Sequence, residues 1–353
     1  MSSSRVPSAG RRQRRPDVLL SPLRYPGGKR RLAPYVAEAL RLNGLRPRLY
    51  VEPFAGGASV AIQLLHENLV EQVVLGEKDP MVAGFWKAVF TDHEQLIARL
   101  QKLKPTLENW EYYRSMRPRT VLGWAVKCLF LNRTSFSGIL SPTAGPIGGR
   151  SQASEHRIDC RFPVERLANR IRQIAAFADR VLLVHEGDWR DLIEHVQKLG
   201  YERDQVFYYL DPPFYEKADR LYRYYFHERD HQELHDTLGK LGGNYILSYD
   251  AAEPIVRRYS AHANGTRHVE LLYSATRRGE LIKARELIVS NLPRLPEHTR
   301  LWRSKREAVS HALRAPDESV AAMEAVALDG REALFLPAAL ADAQVSPASL
   351  DVR

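Results

Sequence analysis

The pattern of apolar and polar positions predicts seven short strands, most of them separated by helices. The strands are expected where apolar or alternating runs are bounded by turn and polar residues, at 49–52, 72–75, 181–185, 205–210, 244–249, 268–273 and 286–290. Helical spacing of apolar residues falls between most of these runs, for example at 58–66 and 229–241. Strands that alternate with helices predict an α/β fold in which a mostly parallel sheet is covered on both faces.

Two stretches depart from this alternation. Only residues 274–285 separate the last two strands, which leaves no room for a packed helix and predicts an antiparallel hairpin. Residues 76–180, by contrast, separate the second strand from the third and contain helical patterns at 108–116 and 121–131. A loop rich in Gly, Pro and Ser follows at 137–149. We therefore expect this long stretch to contain a mainly helical domain inserted into the sheet-containing one.

The two ends of the chain lack the pattern of a packed domain. Residues 1–20 are polar and Arg-rich without periodic apolar positions, so a disordered basic arm is expected. The Ala-rich tail is expected to be helical in parts, at 301–313 and 318–327. The expected domains are the arm at 1–20, the sheet-containing domain at 21–87 and 173–295, the inserted domain at 88–172 and the tail at 296–353.

The positive charge of the chain is concentrated in two segments. The formal net charge is +10, from 52 Lys and Arg against 42 Asp and Glu. Residues 1–31 contain nine basic residues and one acid, and residues 112–172 contain eleven and three, so each segment carries +8 and the remainder carries −6. Basic segments on an acidic body predict a polyanionic partner, and nucleic acid is favoured over a role in solubility alone.

Composition argues against a membrane or secreted protein. No apolar run approaches the ~20 residues needed to span a bilayer, and the polar N-terminus lacks the apolar region of a secretory signal. Cys128 and Cys160 are the only cysteines, which is too few for a disulfide framework and without the spacing of a zinc site. We therefore expect a cytoplasmic protein.

Candidate chemistry follows predicted strands, at the edge where α/β sheets bind ligands. The first strand ends at Glu52. The chain then passes through Gly56, which allows a tight turn close to a ligand before a helix begins. The next strand is followed by Glu77 and Asp79. Glu77 is placed to accept hydrogen bonds from a ribose, whereas Asp79 before Pro80 is typical of a helix N-cap, and both roles are compatible.

The segment Asp211-Pro212-Pro213-Phe214 is the most specific of the candidates. A strand delivers Asp211, and the prolines stop further strand pairing. The Asp211 carboxylate and the Pro212 carbonyl are two acceptors for the hydrogens of an exocyclic amine, and Phe214 offers a stacking face for the base. A purely structural turn could have the same sequence. The tyrosines within 222–225 are either core residues or a wall of the base pocket.

In their order, these segments resemble the Dam-type adenine-N6 DNA methyltransferases. Arg24-Tyr-Pro-Gly-Gly-Lys29 precedes the Glu-Pro-Phe-x-Gly turn and Asp-Pro-Pro-Phe. Leu131-Asn-Arg-Thr-Ser-Phe-Ser-Gly138 looks like the family's Asn-Arg…Asn-Gly recognition segment, and Arg285-Glu-Leu-Ile-Val-Ser-Asn291 fits its closing strand. The similarity spans residues 21–292. It implies a Rossmann-like methyltransferase fold and transfer of a methyl group from S-adenosylmethionine to the N6 amine of adenine in DNA.

The resemblance also implies roles for particular residues. The residues that it places at S-adenosylmethionine are Tyr25, Lys29, Pro53, Phe54, Gly56, Glu77, Asp188 and Asp211. Those that it places in the catalytic loop are Asp211, Pro212, Pro213 and Phe214. Those that it places on DNA are Asn132, Arg133, Ser135, Phe136 and Ser137. No metal is expected. The expected partner is double-stranded DNA with a flipped adenine, in the cytoplasm at the nucleoid, and a companion restriction endonuclease is a further candidate partner.

Some residues depart from the family pattern. Ala58 stands where a second turn glycine is usual, Phe214 where Tyr is commoner, and Ser137 where Asn is commoner. The same acceptor geometry would suit cytosine N4 or an adenine of RNA, so these substrates are alternatives. A DNA-binding protein that retains the fold without catalysis is an alternative from another class.

Two further patterns resemble sites of other kinds. Gly27-Gly28-Lys29 lacks the Gly at 23 and the Ser or Thr at 30 that a phosphate-binding loop needs. His227, His231 and His235 recur every four residues, but a metalloprotease helix needs Glu at 232, where this chain has Gln. An exposed helix face is therefore expected there, rather than a metal site.

Overall fold

A computed structural model describes residues 19–25, 29–216, 218–275 and 280–301 of the 353-residue chain. Each of the seven predicted strands is confirmed, and the largest change is in the last, which begins at residue 280 rather than 286. The strands are β1 (Leu49–Glu52), β2 (Gln72–Glu77), β3 (Val181–Glu186), β4 (Val206–Leu210), β5 (Asn244–Asp250), β6 (Thr266–Ala275) and β7 (Glu280–Ser290).

The helices are α1 (Ala33–Leu42), α2 (Ser59–His66), α3 (Pro80–Thr91), α4 (His93–Leu100), α5 (Leu107–Ser115), α6 (Val121–Thr134), α7 (Val164–Ala175), α8 (Trp189–Gln197), α9 (Ala218–Leu221), α10 (Glu228–Leu238) and α11 (Glu253–Arg258). Several begin at side chains that accept a hydrogen bond from the first turn, as Thr106 and Thr120 do at α5 and α6. Within the described ranges, no helix combines the length and apolar character needed to cross a membrane.

The strands form one sheet in the order β3-β2-β1-β4-β5-β7-β6. Strands β1 to β5 run parallel, whereas β7 is antiparallel to both β5 and β6. The expected seven-stranded Rossmann-like sheet with a terminal hairpin is therefore confirmed. The chain places β2 and β3 on one side of β1 and β4 on the other, and such a switch point opens a crevice at the C-terminal ends of the strands.

Alternate residues of the central strands enter two separate hydrophobic layers. On β1, Tyr50 belongs to the layer covered by α1 and α2, while its neighbours Leu49 and Val51 belong to the layer covered by α8 and α10. Because both faces are covered, β1 and β4 are buried along their whole length. The strand ends that carry the candidate residues therefore rest on a rigid, packed core.

The long stretch between β2 and β3 is helical, as predicted. The helix patterns expected at 108–116 and 121–131 correspond to α5 and α6. The boundaries expected at 88 and 172 fall inside α3 and α7, and residues of α3 to α7 share one hydrophobic layer with α1 and α2. That this stretch is a DNA-recognition domain stays a prediction.

The predictions for the two ends concern residues that the described ranges barely reach. The arm expected at 1–20 lies outside them except for residues 19 and 20. The tail helices expected at 301–313 and 318–327 lie outside them except for Leu301.

Candidate active site

A cleft opens at the C-terminal ends of β1, β2 and β4, at the predicted switch point. It brings together all eight residues expected at S-adenosylmethionine, from five separate segments of the chain: Tyr25, Lys29, Pro53, Phe54, Gly56, Glu77, Asp188 and Asp211. Pro212 and Pro213 also line it. The sequence motifs therefore converge on one surface.

The turn after β1 is shaped by its glycine. Gly56 has a φ of +46°, and a Cβ atom there would lie 2.7 Å from the ring of Tyr25, so the aromatic ring packs directly on the backbone. The Gly56 N–H donates to Glu77 Oε2 at 3.0 Å, and its carbonyl accepts from Trp86 Nε1 at 2.8 Å. Ala58, at the position of the family's second glycine, adopts a left-handed φ of 48° at the N-cap of α2. Gly56 and Ala58 therefore both have left-handed backbone conformations.

Glu77 supports this turn from the end of β2. Its Oε1 accepts from the Asp79 N–H at 3.0 Å, so the carboxylate joins the turn after β1 to the start of α3. Burial raises the pKa of Glu77 to about 7. Asp79 accepts from the Met81 N–H at 2.9 Å, which confirms the N-cap. Whether Glu77 also binds a ribose stays a prediction.

Asp188 is held by cations at the rim of the cleft. Its Oδ1 accepts from the Arg190 N–H and guanidinium at 3.1 and 2.9 Å, and its Oδ2 accepts from Lys78 at 3.0 Å. Burial disfavours the charge, but these hydrogen bonds hold the pKa of Asp188 below its usual value. The same guanidinium donates to Asp230 at 2.7 Å and lies over the Trp189 ring. This arrangement fixes the ionised carboxylate facing the cleft.

Asp211 lies at the end of β4 and is bonded through one oxygen. Lys29 Nζ is 2.9 Å from Oδ1, and the Ser248 hydroxyl donates to the same Oδ1 at 3.1 Å. Burial raises the pKa of Asp211, and Lys29 and Ser248 offset part of the rise. Lys29 is itself buried beside Glu286, and burial disfavours its charge, but the two carboxylates raise the pKa of Lys29 above its ordinary value. The ammonium therefore stays charged.

The loop after Asp211 is fastened to β5. Both oxygens of Asp250 accept backbone N–H groups of this loop, from Tyr215 at 2.8 Å and Glu216 at 3.3 Å. The Phe214 side chain is only 5% exposed and packs with Ile139 and others, instead of lining the cleft. Its expected stacking on a base stays a prediction.

Aromatic residues of 222–226 also line the cleft. Tyr222 stacks on Tyr25 with ring centroids 5.9 Å apart, and Tyr224 and Tyr225 are about two-fifths exposed. Phe226 packs edge-on against Phe54. The segment therefore forms part of the cleft wall, and whether this wall receives a base stays a prediction.

Four of the five residues expected to contact DNA are buried, and Phe136 alone among them is exposed. Asn132 Oδ1 accepts from the Arg24 N–H at 2.7 Å, and its Nδ2 donates to the Arg24 carbonyl at 2.6 Å. Arg133 Nε donates to the Arg161 carbonyl at 2.7 Å, and Ser135 Oγ accepts from Trp110 Nε1 at 3.0 Å.

The fourth buried residue, Ser137, has a left-handed φ of 53°. In this structure the segment therefore braces the inserted helices, and a direct base contact by Arg133 would require its guanidinium to leave the Arg161 carbonyl. The expected DNA contacts stay predictions.

The expected exposed histidine face on α10 is wrong for its central residue. His231 is buried, with its Nδ1 hydrogen-bonded to the Tyr249 hydroxyl, and burial lowers the pKa of His231 to about 4. It is therefore a neutral core residue. No group of His, Cys, Asp and Glu in the described ranges is arranged to hold a metal ion.

Three polar residues at the site were not expected from the sequence: Ser248, Asp250 and Glu286. Each lies in or at the end of an apolar strand, where a buried polar residue needs a partner. That signal was readable in Asn244–Asp250 and in Glu280–Ser290. The partners themselves depend on the strand order, which the sequence does not state.

Comparison with known proteins agrees with this geometry. Residues 25–275 match the family described as D12 class N6 adenine-specific DNA methyltransferase, which favours the expected reaction over cytosine-N4, RNA or non-catalytic alternatives. No curated protein is significantly similar in sequence. A putative RNA methyltransferase from Pyrococcus horikoshii is similar at 12% identity over 78% of this chain and 90% of that chain, with a TM-score of 0.33, which is too low to support an inference. Because the family match spans well over half of the chain, the protein belongs to the D12 class N6 adenine-specific DNA methyltransferases, enzymes that methylate adenine N6 in DNA with S-adenosylmethionine.

Proposed function

We propose that the cleft is the active site and that Asp211 receives the N6 amine of the target adenine. The observation that carries this proposal is the one-sided bonding of Asp211 in the cleft wall. Lys29 and Ser248 both contact Oδ1, and in the described part of the chain no other hydrogen bond or ion pair to this carboxylate is found. Oδ2 therefore keeps its capacity to accept an N–H group.

The lining of the cleft fits S-adenosylmethionine chemically. The carboxylates of the buried Glu77 and the half-buried Asp188 can accept hydrogen bonds from hydroxyl and amino groups, and the rings of Phe54 and Trp189 offer faces for a purine. The tight Gly56 turn lets the backbone approach a ligand closely. The residues proposed to bind the methyl donor are Tyr25, Lys29, Pro53, Phe54, Gly56, Glu77, Asp188 and Asp211.

The chain's own part in the reaction is to orient and polarise the amine. When bound, S-adenosylmethionine supplies a methyl group on a positively charged sulfur, which is already a good leaving group. Asp211 and the Pro212 carbonyl accept the two N6 hydrogens, which draws the nitrogen toward a tetrahedral geometry and frees its lone pair. The nitrogen–carbon bond forms as the sulfur–carbon bond breaks, and Asp211 can take the proton that the nitrogen then loses. Orientation of the two reactants contributes much of the rate.

Duplex DNA would present the adenine only after the base is flipped out. Flipping costs a few kcal/mol, which contacts between basic residues and phosphates can offset. The basic segment 112–172 is the part of the described chain with the charge for such contacts. A nucleoid-associated enzyme in the cytoplasm is the corresponding proposal for its location, and a companion endonuclease stays a prediction.

The test is methyl transfer to DNA by purified protein, read by modified-base sequencing and by S-adenosylmethionine titration. Asp211→Ala is expected to abolish transfer while the unfolding transition is kept. Asp204→Ala is the matched control, since the exposed Asp204 precedes the opposite end of the same strand β4. Full activity in a folded Asp211→Ala protein would refute the assignment.

A further inference from the structure

Glu286 on β7 is a buried carboxylate next to the proposed catalytic residues. It is 2% exposed, and its Oε1 lies 3.3 Å from Lys29 Nζ. Strand register places it opposite Asp250, at the end of β5 that also carries Ser248. Glu286 therefore approaches the site from the antiparallel hairpin, whereas Asp211 arrives on the parallel part of the sheet.

Lys29 is shared between the two carboxylates. Its Nζ lies 2.9 Å from Asp211 Oδ1 and 3.3 Å from Glu286 Oε1, and it sits 5.0 Å from the centroid of the Phe214 ring. One Lys–Asp pair would already balance the charge of Asp211. Burying a second carboxylate costs desolvation energy, which a merely structural brace could avoid with an apolar residue.

We propose that Glu286 is a positioning residue for methyl transfer, which holds the Lys29 ammonium against Oδ1 of Asp211 so that Oδ2 is left for the substrate amine. The proposal rests on the proposed role of Asp211. A lysine side chain is long and flexible, so contact with a single carboxylate leaves the ammonium free to move around that contact. With Glu286 as a second anchor and the Phe214 ring beneath, the ammonium has one position.

The first consequence is a split between catalysis and binding of the methyl donor. Glu286→Gln keeps the size of the side chain but removes its charge, so Lys29 is released to move toward the other oxygen of Asp211 or toward solvent. We expect kcat for DNA methylation to fall about tenfold or more, because small misplacements of reacting groups are costly. The dissociation constant of S-adenosylmethionine is expected to change less than kcat, since Glu286 does not line the cleft and Lys29 is only one of the eight residues proposed to bind the methyl donor.

The second consequence is non-additivity. Lys29→Met leaves two buried carboxylates without their cation, and removing one partner of a buried ion pair is strongly destabilising. Adding Glu286→Gln removes one of these unpaired carboxylates, so the double variant should be more stable than Lys29→Met alone. Glu286→Gln by itself should lower stability. Such a reversal of sign in a double-mutant cycle marks direct coupling.

The third consequence is a shift in the pH profile of kcat. Lys29→Met should move its acidic limb to higher pH, because Asp211 loses the cation that favours its ionised form. Adding Glu286→Gln should move the limb partly back, because a negative charge near Asp211 is removed. The other titratable groups that face Asp211 stay constant in this comparison: Tyr50 and Glu52 from β1, Tyr209 from β4, Tyr249 and Asp250 from β5 and Tyr222 after α9.

The experiment combines these measurements on the full chain, with Glu270→Gln as the matched control. Glu270 lies on the neighbouring strand β6, and its ion-pair partner is Arg300 rather than Lys29. Lys29→Gln gives the same cycle if Lys29→Met does not fold. Unchanged kcat in Glu286→Gln, or an equal loss with and without Lys29, would overturn the proposal. If the parent protein methylated no DNA, the proposed function would fail, while the cycle in unfolding free energy would still test the coupling.

Discussion

Two buried carboxylates of the cleft, Glu52 and Glu77, receive hydrogen bonds from neutral groups. Glu52 Oε2 accepts from the Tyr50 hydroxyl at 2.9 Å and from the Ala61 N–H at 3.1 Å. Burial raises the pKa of Glu52 to about 8 and that of Glu77 to about 7, from an ordinary value of 4.5. Each group therefore holds a proton in the folded protein at pH values where it is ionised in the unfolded chain.

The free energy of unfolding should therefore fall as the pH rises from about 4.5 to 8, because the folded state binds more protons than the unfolded state. The stabilisation that each protonated carboxyl group gives is complete below pH 4.5. It is lost as the pH rises through the pKa of that group in the folded protein. Glu52→Gln should flatten the fall by at most about 1.4 kcal/mol per pH unit. Chemical denaturation across this pH range measures the slope, and Glu108→Gln, an exposed change on α5, is the control. An unchanged slope in Glu52→Gln would mean that Glu52 is ionised in the folded protein.

Glu77→Ala should weaken S-adenosylmethionine binding far more than DNA binding. The residue lines the cleft and also fixes Gly56 and the start of α3, so both a lost contact and a displaced turn act on the methyl donor. Titration with each ligand measures the two affinities. Glu71→Ala, an exposed change just before β2, controls for the substitution itself. Equal losses for the two ligands would indicate general disruption of the fold.

At the scale of elements, the end of α6 positions the N-terminal segment of the site. Asn132 bonds both polar groups of the Arg24 backbone, and its Nδ2 also donates to the Gly138 carbonyl at 2.9 Å. A Cβ atom at Gly138 would lie 2.2 Å from the Arg24 carbonyl oxygen, so this close approach requires glycine. Tyr25, the next residue, is thereby aligned with the Gly56 turn.

Asn132→Asp should therefore weaken S-adenosylmethionine binding. The aspartate has no N–H to donate and would face the carbonyls of Arg24 and Gly138, so the segment before Tyr25 would be repelled. An affinity loss of about 1–3 kcal/mol corresponds to an unsatisfied buried group. Calorimetric titration measures it, with the exposed Asn169→Asp on α7 as control. Loss of DNA discrimination with unchanged S-adenosylmethionine affinity would instead support the recognition role implied by the family resemblance.

The end of β5 holds the proposed catalytic loop through Asp250. Asp250→Asn keeps one acceptor oxygen but turns an amino group toward the second loop N–H, so one of the bonds to Tyr215 and Glu216 is lost. We expect lower kcat with nearly unchanged S-adenosylmethionine affinity, because the loop after Asp211 loosens. Steady-state kinetics measures the split. Asp236→Asn, exposed on α10, is the control, and parent-like kcat in Asp250→Asn would show that the clamp has no catalytic effect.

The strands and the cleft could be predicted because both depend on local signals. Apolar runs fix the strands, and Asp211 follows one of them within a distinctive tetrapeptide. The role of Asn132 could not be read in the same way, since its partner Arg24 is 108 residues away and the motif suggested DNA instead. Asp250 reaches the site through the pairing of β5 with β4, and Glu286 reaches it through the β5–β7 register. Local pattern thus locates acceptors and turns, whereas long-range pairing decides which buried polar groups support them.

At the scale of the whole molecule, Arg30 of the first basic segment lies close enough to Arg170 of the second to repel its charge. Burial and then repulsion from Arg166 and Arg30 lower the pKa of Arg170. Arg30 belongs to the first basic segment and directly follows Lys29, while Arg166 and Arg170 lie on α7 in the second. Like charges gathered near the proposed active-site cleft are stabilised when phosphates neutralise them. This surface is where we expect the DNA backbone to run.

Arg166→Gln should weaken binding to every DNA duplex alike. The side chain is exposed and carries its charge on α7, so its contact would be with phosphate and independent of sequence. The slope of log affinity against log salt should fall by about one unit for the lost contact. Binding of cognate and scrambled duplexes over a salt series measures both effects. Arg229→Gln, on α10 and paired with Glu233, is the matched control and should leave the slope unchanged. A loss of affinity for one sequence only would instead show that Arg166 contacts bases. An equal loss of affinity in the control would show that the effect comes from net charge alone.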